Sequence, residues 1–237
     1  MLNAITKCLP DANIQACNYH FVQALFDHLQ RFELKTFYQR NHDFCEYIHM
    51  FHALAYVPEA DVIAVAEQVV YKHYEDKVDP KTGDPEWLEM TTELARFHEY
   101  SQHWTGKPKF NIVKGKSGGR PPTYPVKIWN LHEQLKESTG ISSNNKLEAY
   151  NKTLNGQLGL SPNLWKAIEF LVGQETETRR IILANSRGDD MTKNSGRLAK
   201  VIAKRNQLRS VLNRYNNLPA DLYIRQMAHI LASREYK

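Results

Sequence analysis

Asn13-Ile14-Gln15-Ala16-Cys17-Asn18-Tyr19-His20 is the stretch on which the fold class turns, because it is the one segment of the chain that reads as extended. Ile14, Ala16 and Asn18 alternate with Gln15, Cys17 and Tyr19, the period-two pattern of a short strand. It runs directly into a helical pattern carrying Val22, Leu25, Phe26 and Leu29. A strand feeding a helix is the beginning of an α/β unit, whereas everything that follows reads as helix after helix.

Upstream, Leu2, Ile5 and Leu9 outline the end of an amphipathic helix stopped by Pro10. Downstream, residues 35 to 56 are rich in aromatics and histidine, and Pro58 to Asp61 opens a helix with Val62, Ala66, Val69 and His73 on one face. Asp79 to Pro85 is a turn cluster, after which Trp87, Thr91, Leu94 and His98 outline a helix ending near Trp104. Residues 105 to 123 gather glycine, proline and the basic residues Lys114, Lys116 and Arg120, so they read as a long exposed loop, either a solvated connection or a phosphate-contacting segment. Helices resume at Pro125 with Ile128, Leu131 and Leu135, and stop at Gly140.

Ser161-Pro162 caps a long helix whose Leu164, Ile168, Leu171, Thr178 and Ile182 are expected to form a buried stripe. In the next helix Leu198, Val201, Ile202, Leu208 and Leu212 face inward, while Lys193, Arg197, Lys200 and Lys204 share a second face, with Arg205 and Arg209 close by. That face reads as a solvated charge run or a polyanion contact. Pro219 starts a last helix through Tyr223, Met227 and Ile230.

The chain has 237 residues, 42% of them apolar and 24% charged, the composition of a soluble globular protein rather than a disordered one. No apolar run approaches the ~20 residues that span a bilayer, and the first residues lack a signal-peptide layout, so no membrane partner and a nuclear or cytoplasmic location, not secretion, are expected. Cys8, Cys17 and Cys45 are too few for a disulfide framework. The net charge of +5 is compatible with a polyanionic partner.

Three constellations bear on chemistry. Asn144, Glu148, Asn151 and Asn155 line one helical face beside Leu147, Tyr150, Leu154 and Leu158, which presents a carboxylate among amides; Asn145 with Glu148 equally fits a capping box, and Glu148 with Lys152 an ordinary ion pair. Cys17 and His20 form a Cys-x-x-His pair, half of a zinc-site spacing. His42, Cys45, His49 and His52 share a face, and two of them could complete such a site with Cys17 and His20 if the helices packed face to face.

In order, Leu9-Pro10, Cys17 to Phe21, Ala53 to Pro58, Tyr124-Pro125 with Trp129-Asn130, Asn144-Asn145 to Glu148, and Leu164-Trp165 resemble the animal type of Mutator-like element (MULE) transposases, over nearly the whole chain. The resemblance implies an RNase H-like core with an Asp, Asp, Glu triad (the DDE type), DNA transposition by strand cleavage and transfer, and Mg²⁺ or Mn²⁺ as cofactor. It makes Glu148 the third carboxylate and a metal ligand, Cys17 and His20 the family's Cys-x-x-His, and Asn144 and Asn151 part of the same motif. Both aspartates of the triad are missing, and Asp11 and Asp27 fall after the expected place.

The expected fold is therefore predominantly α, a truncated remnant of an RNase H-like α/β core with one strand, a large helical insertion and C-terminal helices. Its expected parts are a core segment at 1–34, an insertion at 35–140 with the basic loop 105–123, a Glu-bearing helix at 141–160 and a helical region at 161–237. The expected function is that of a transposase fragment inactive alone, or a non-catalytic DNA-binding or protein-interaction module retained from a transposon. The expected partners are DNA at transposon ends, through Lys114, Lys116, Arg120, Arg197, Lys200 and Lys204, and further copies in a homo-oligomer.

Overall fold

The computed structural model describes residues 7–8, 18–106, 120–137, 145–159, 163–187 and 196–232; for 145–151, 185 and 196–198 it describes the backbone only. Among the described residues every regular element is helical and none is a strand. Asn18, Tyr19 and His20 open the helix α1 (Asn18–Arg31), and residues 13–17 lie outside the described residues. The apolar spacing of α1, with Phe21, Val22, Leu25 and Leu29 buried, carries the helical period back to its first turn. A seven-residue alternation is weak evidence beside that stripe, and a strand needs a neighbour with which to pair its backbone. The expected RNase H-like remnant is thereby overturned, and with no sheet among the described residues there is no core for residues 35–140 to interrupt.

The chain divides into two compact units, one made of residues 1–142 and 205–237, the other of Ser143–Lys204. In the first, α2 (Lys35–Arg40) leads into α3 (His42–Ala53), the centre of the unit. The Asn41 side chain caps α3 by accepting from Phe44 N at 2.8 Å. From Phe44 onward α3 is buried on almost every side, as expected of a helix enclosed by others. The last helix of the chain, α13 (Ala220–Ala232), packs along it through Tyr223, Ile224, Met227, Ala228 and Leu231.

After a 3₁₀ turn at Leu54–Tyr56 the chain forms α4 (Val62–Val65), a π-helical stretch at Ala66–Tyr71 and α5 (Lys72–Val78). At the following turn the Asp79 carboxylate accepts from Lys81 N (2.7 Å) and Thr82 N (3.1 Å). A Cβ at Gly83 would lie 2.5 Å from the carbonyl oxygens of Lys77 and Asp79, so this turn closes only on glycine. The single helix expected here is two, α6 (Pro85–Glu89), capped by Asp84, and α7 (Thr91–Thr105). The break lets Trp87 turn fully inward, where it meets the rings of Phe37, Phe44 and Tyr47 at 5.4 to 6.2 Å between centroids.

The helical stretch expected from Pro125 consists of α8 (Val126–Trp129) and α9 (His132–Glu137). The divide serves the buried segment Leu54–Val57, whose carbonyls need donors. Leu131 N donates to Ala55 O at 2.6 Å and Asn130 Nδ2 to Val57 O at 2.7 Å. Tyr56 O accepts from Tyr223 Oη at 2.6 Å and lies 2.9 Å from His132 Nδ1.

The second unit holds α10 (Asn145–Leu158), α11 (Leu164–Ser186) and the first turns of α12 (Gly196–Leu212), whose remainder belongs to the first unit; Tyr215–Asn217 is a 3₁₀ turn. Helices α10 and α11 pack against each other, and Phe170 is buried. The stripe expected to be buried on α11 is exposed: Leu164 is 71% accessible, Ile168 40%, Leu171 59% and Ile182 60%.

Removing the Tyr223 hydroxyl leaves Tyr56 O with a second neighbour in His132, so Tyr223→Phe is expected to cost about 1 kcal/mol. Asn130→Leu takes away the side-chain donor to Val57 O and is expected to cost more, about 1–3 kcal/mol. Urea unfolding midpoints of the two variants check both the sizes and the order.

Candidate functional site

The side chains most able to carry chemistry converge on α3, where ligand atoms of His42, Asp43 and Glu46 lie within 4.8 Å of one another. Among the described residues this is the one group of three or more His, Cys, Asp or Glu side chains so placed. Both carboxylates already have cations. Lys77 from α5 donates to Asp43 and stands 3.6 Å from Asp84. Arg225 from α13 donates to Glu46 at 2.8 Å and to Asp221 at 3.0 Å. The hydrogen bond from Lys77 holds the Asp43 carboxyl below its ordinary value and raises the lysine correspondingly. A divalent ion would have to displace two basic side chains, so the group does not fit one; it fastens α3 to α5 and α13.

Four histidines of this unit, His28, His49, His52 and His98, are taken up by packing. His49 Nε2 lies 2.8 Å from Tyr38 Oη, and His52 Nε2 lies 3.2 Å from Asn18 Oδ1. His28 stacks on Tyr100 and His98 on Tyr74, with centroids 3.5 and 4.3 Å apart. Burial pushes the Tyr100 hydroxyl up to about 12 and keeps it neutral. The face of His42, Cys45, His49 and His52 is thus not a ligand set; His42 is exposed and His49 and His52 are buried among aromatic rings.

His20 lies at the exposed start of α1, edge-on to Tyr19, and Cys17 lies outside the described residues. Glu148 and Asn151 belong to α10, where only the backbone is described, and Asn144 falls outside the described residues. Of the basic residues, Lys114 and Lys116 are outside them and Arg197 is described by backbone alone. Arg120 is exposed, with Nη2 3.2 Å from His103 Nδ1, Lys200 is exposed and Lys204 half-buried. Arg209, expected near the basic face, instead donates to Leu135 O at 2.7 Å.

What remains open on the surface is apolar. At 100° per residue, Leu164, Trp165, Ile168, Leu171, Val172, Ile182 and Leu183 fall within a sector of about 120° on α11. All seven are exposed, Trp165 at 74%. Phe170 lies on the far side, and the Glu177–Arg180 pair, 2.7 Å long, is also off this sector. Within it sits one ion pair, Arg179 Nη2 to Glu175 Oε1 at 2.7 Å. The same spacing that reads as a core stripe in the sequence marks this face; the missing information is which surface covers it.

No family model, curated protein or solved structure matches the chain. With neither a sheet nor a carboxylate triad among the described residues, the reading of the chain as a MULE or DDE-type transposase fragment, and as a relative of that enzyme class, is overturned. No helix among the described residues is long and apolar enough to cross a membrane.

His73 gives this region its pH dependence. Its Nε2 finds no hydrogen-bond partner, and burial first, then the charges of Arg225 and Lys77, lower its pKa from 6.5. The folded chain therefore binds this proton less readily than the unfolded one. The stabilisation is complete above 6.5 and is lost as pH falls through the lowered folded value. His73→Phe is expected to flatten the decline in urea midpoint below pH 6.5, measured against the unsubstituted chain.

Proposed function

We propose that this protein is an association module: besides a closed helical scaffold it has a second helical unit, residues 143–204, in which the exposed apolar face of α11 receives another helix. The observation supporting this is the concentration of seven exposed large apolar side chains within one sector of α11, whereas in the other unit such exposed residues occur singly. Burying one Leu, Ile or Val side chain contributes roughly 1.5–3 kcal/mol, so a face of seven is costly to leave in water and rewarding to cover. A groove or ridge of this kind takes an amphipathic helix through side chains three and four residues apart.

Trp165 reports on the face because it is itself exposed. Adding a synthetic amphipathic helical peptide is expected to shift Trp165 emission to the blue, and a peptide of identical composition with scrambled apolar positions is expected to do nothing. Leu171→Asp with Ile182→Asp should abolish the shift while leaving unfolding of the scaffold unchanged. Equal response to both peptides, or to neither, overturns the reading.

A further inference from the structure

Between Leu171 and Leu183 the order of residues along the exposed face of α11 is symmetric about Glu177. Leu171 and Val172 lie six and five positions before it, and Ile182 and Leu183 five and six after it. Glu175 and Arg179 lie two positions on either side, with opposite charge. Both charges stand in the open, 60% and 75% exposed, in the middle of the apolar sector. Exposed intrahelical pairs contribute little by themselves, so their presence in an apolar stripe is not explained by the stability of α11.

We infer that the helix received by this face is α11 of a second copy, packed antiparallel about a two-fold axis level with Glu177. This rests on the association reading above and adds the identity and orientation of the partner. In that arrangement Leu171 and Val172 of one copy lie over the partner's Ile182 and the partner's Leu183, and the two-fold repeats the contact at the other end. Glu175 faces the partner's Arg179, and Arg179 faces the partner's Glu175, so both charges gain an intermolecular neighbour of opposite sign. A parallel pairing would bring like charges together at both levels, which selects against it. The charged layer fixes register, as a polar layer does in coiled coils, while the apolar layers on either side supply the affinity.

The test uses the full-length chain in sedimentation equilibrium. The unsubstituted protein is expected to dimerise. Glu175→Arg and Arg179→Glu, each alone, place two like charges at the axis and are expected to weaken the dimer by about ten-fold or more. An equimolar mixture of the two variants is expected to recover association, because every cross-pair is then again of opposite sign. The double variant Glu175→Arg with Arg179→Glu also recovers it and retains the intrahelical pair, which separates charge pairing from loss of helix. Two-fold pairing is overturned if the unsubstituted chain is monomeric at all concentrations, if either single reversal dimerises as well as it does, or if the mixture stays monomeric. A monomer that still shifts Trp165 emission with the amphipathic peptide overturns the pairing but upholds the association module; a monomer that binds no peptide overturns both.

Discussion

The scaffold depends on three carbonyls with nowhere to turn, those of Ala55, Tyr56 and Val57. As α3 ends it hands the chain to Leu54–Val57, a segment closed off from water, and water cannot satisfy the polar backbone groups there. Donors come from residues 130 to 132 and from Tyr223, so sequence-distant pieces are drawn onto the end of one helix. The break between α8 and α9 follows from this need: Asn130 leaves the helical path, donates to Val57 O and accepts from His132 N at 3.0 Å. Backbone chemistry thus sets where the helices stop, and the apolar stripes of α1, α3, α7 and α13 then close around the point.

Charge complements that arrangement on one side. Lys77 and Arg225 each bridge to α3 from a different helix, and Trp87 packs edge-on against Phe44 of α3. Such partly exposed pairs contribute modestly, and the burial of rings and aliphatic side chains stabilises the unit more. The pairs instead specify which helix lies where, since the wrong neighbour would leave a carboxylate without its cation.

Much of the helical content is legible in the sequence, because stripes with a 3.6-residue period and the Asp79–Pro85 turn follow local rules. The divisions at Met90 and at Asn130–Leu131 are not, because they answer to tertiary demands from Trp87 and from the 55–57 carbonyls. The strand read at Asn13–Tyr19 shows the limit of a short alternation: a helix stripe beginning at Phe21 outweighs it where the two meet. The candidate site is half legible. Period alone identifies the apolar face of α11 but cannot tell a face turned to a core from one turned to solvent. Its symmetry about Glu177 was present in the sequence throughout, and it acquires meaning only once both charges are found exposed on that face.

The contact of α13 with α3 also bears on how the chain is made. The helix at the centre of the scaffold emerges from the ribosome well before the residues that cover it, Tyr223 to Leu231. A long-range closure of this kind is slow compared with helix formation, and until it happens the C-terminal side of α3 and the Tyr56 carbonyl lack their cover. The excursion through residues 143–204, built of local contacts, can fold in the interval. In a chain arrested before residue 220 the unit at 143–204 would therefore be formed while the scaffold is still open, the state in which chaperone dependence and aggregation concentrate.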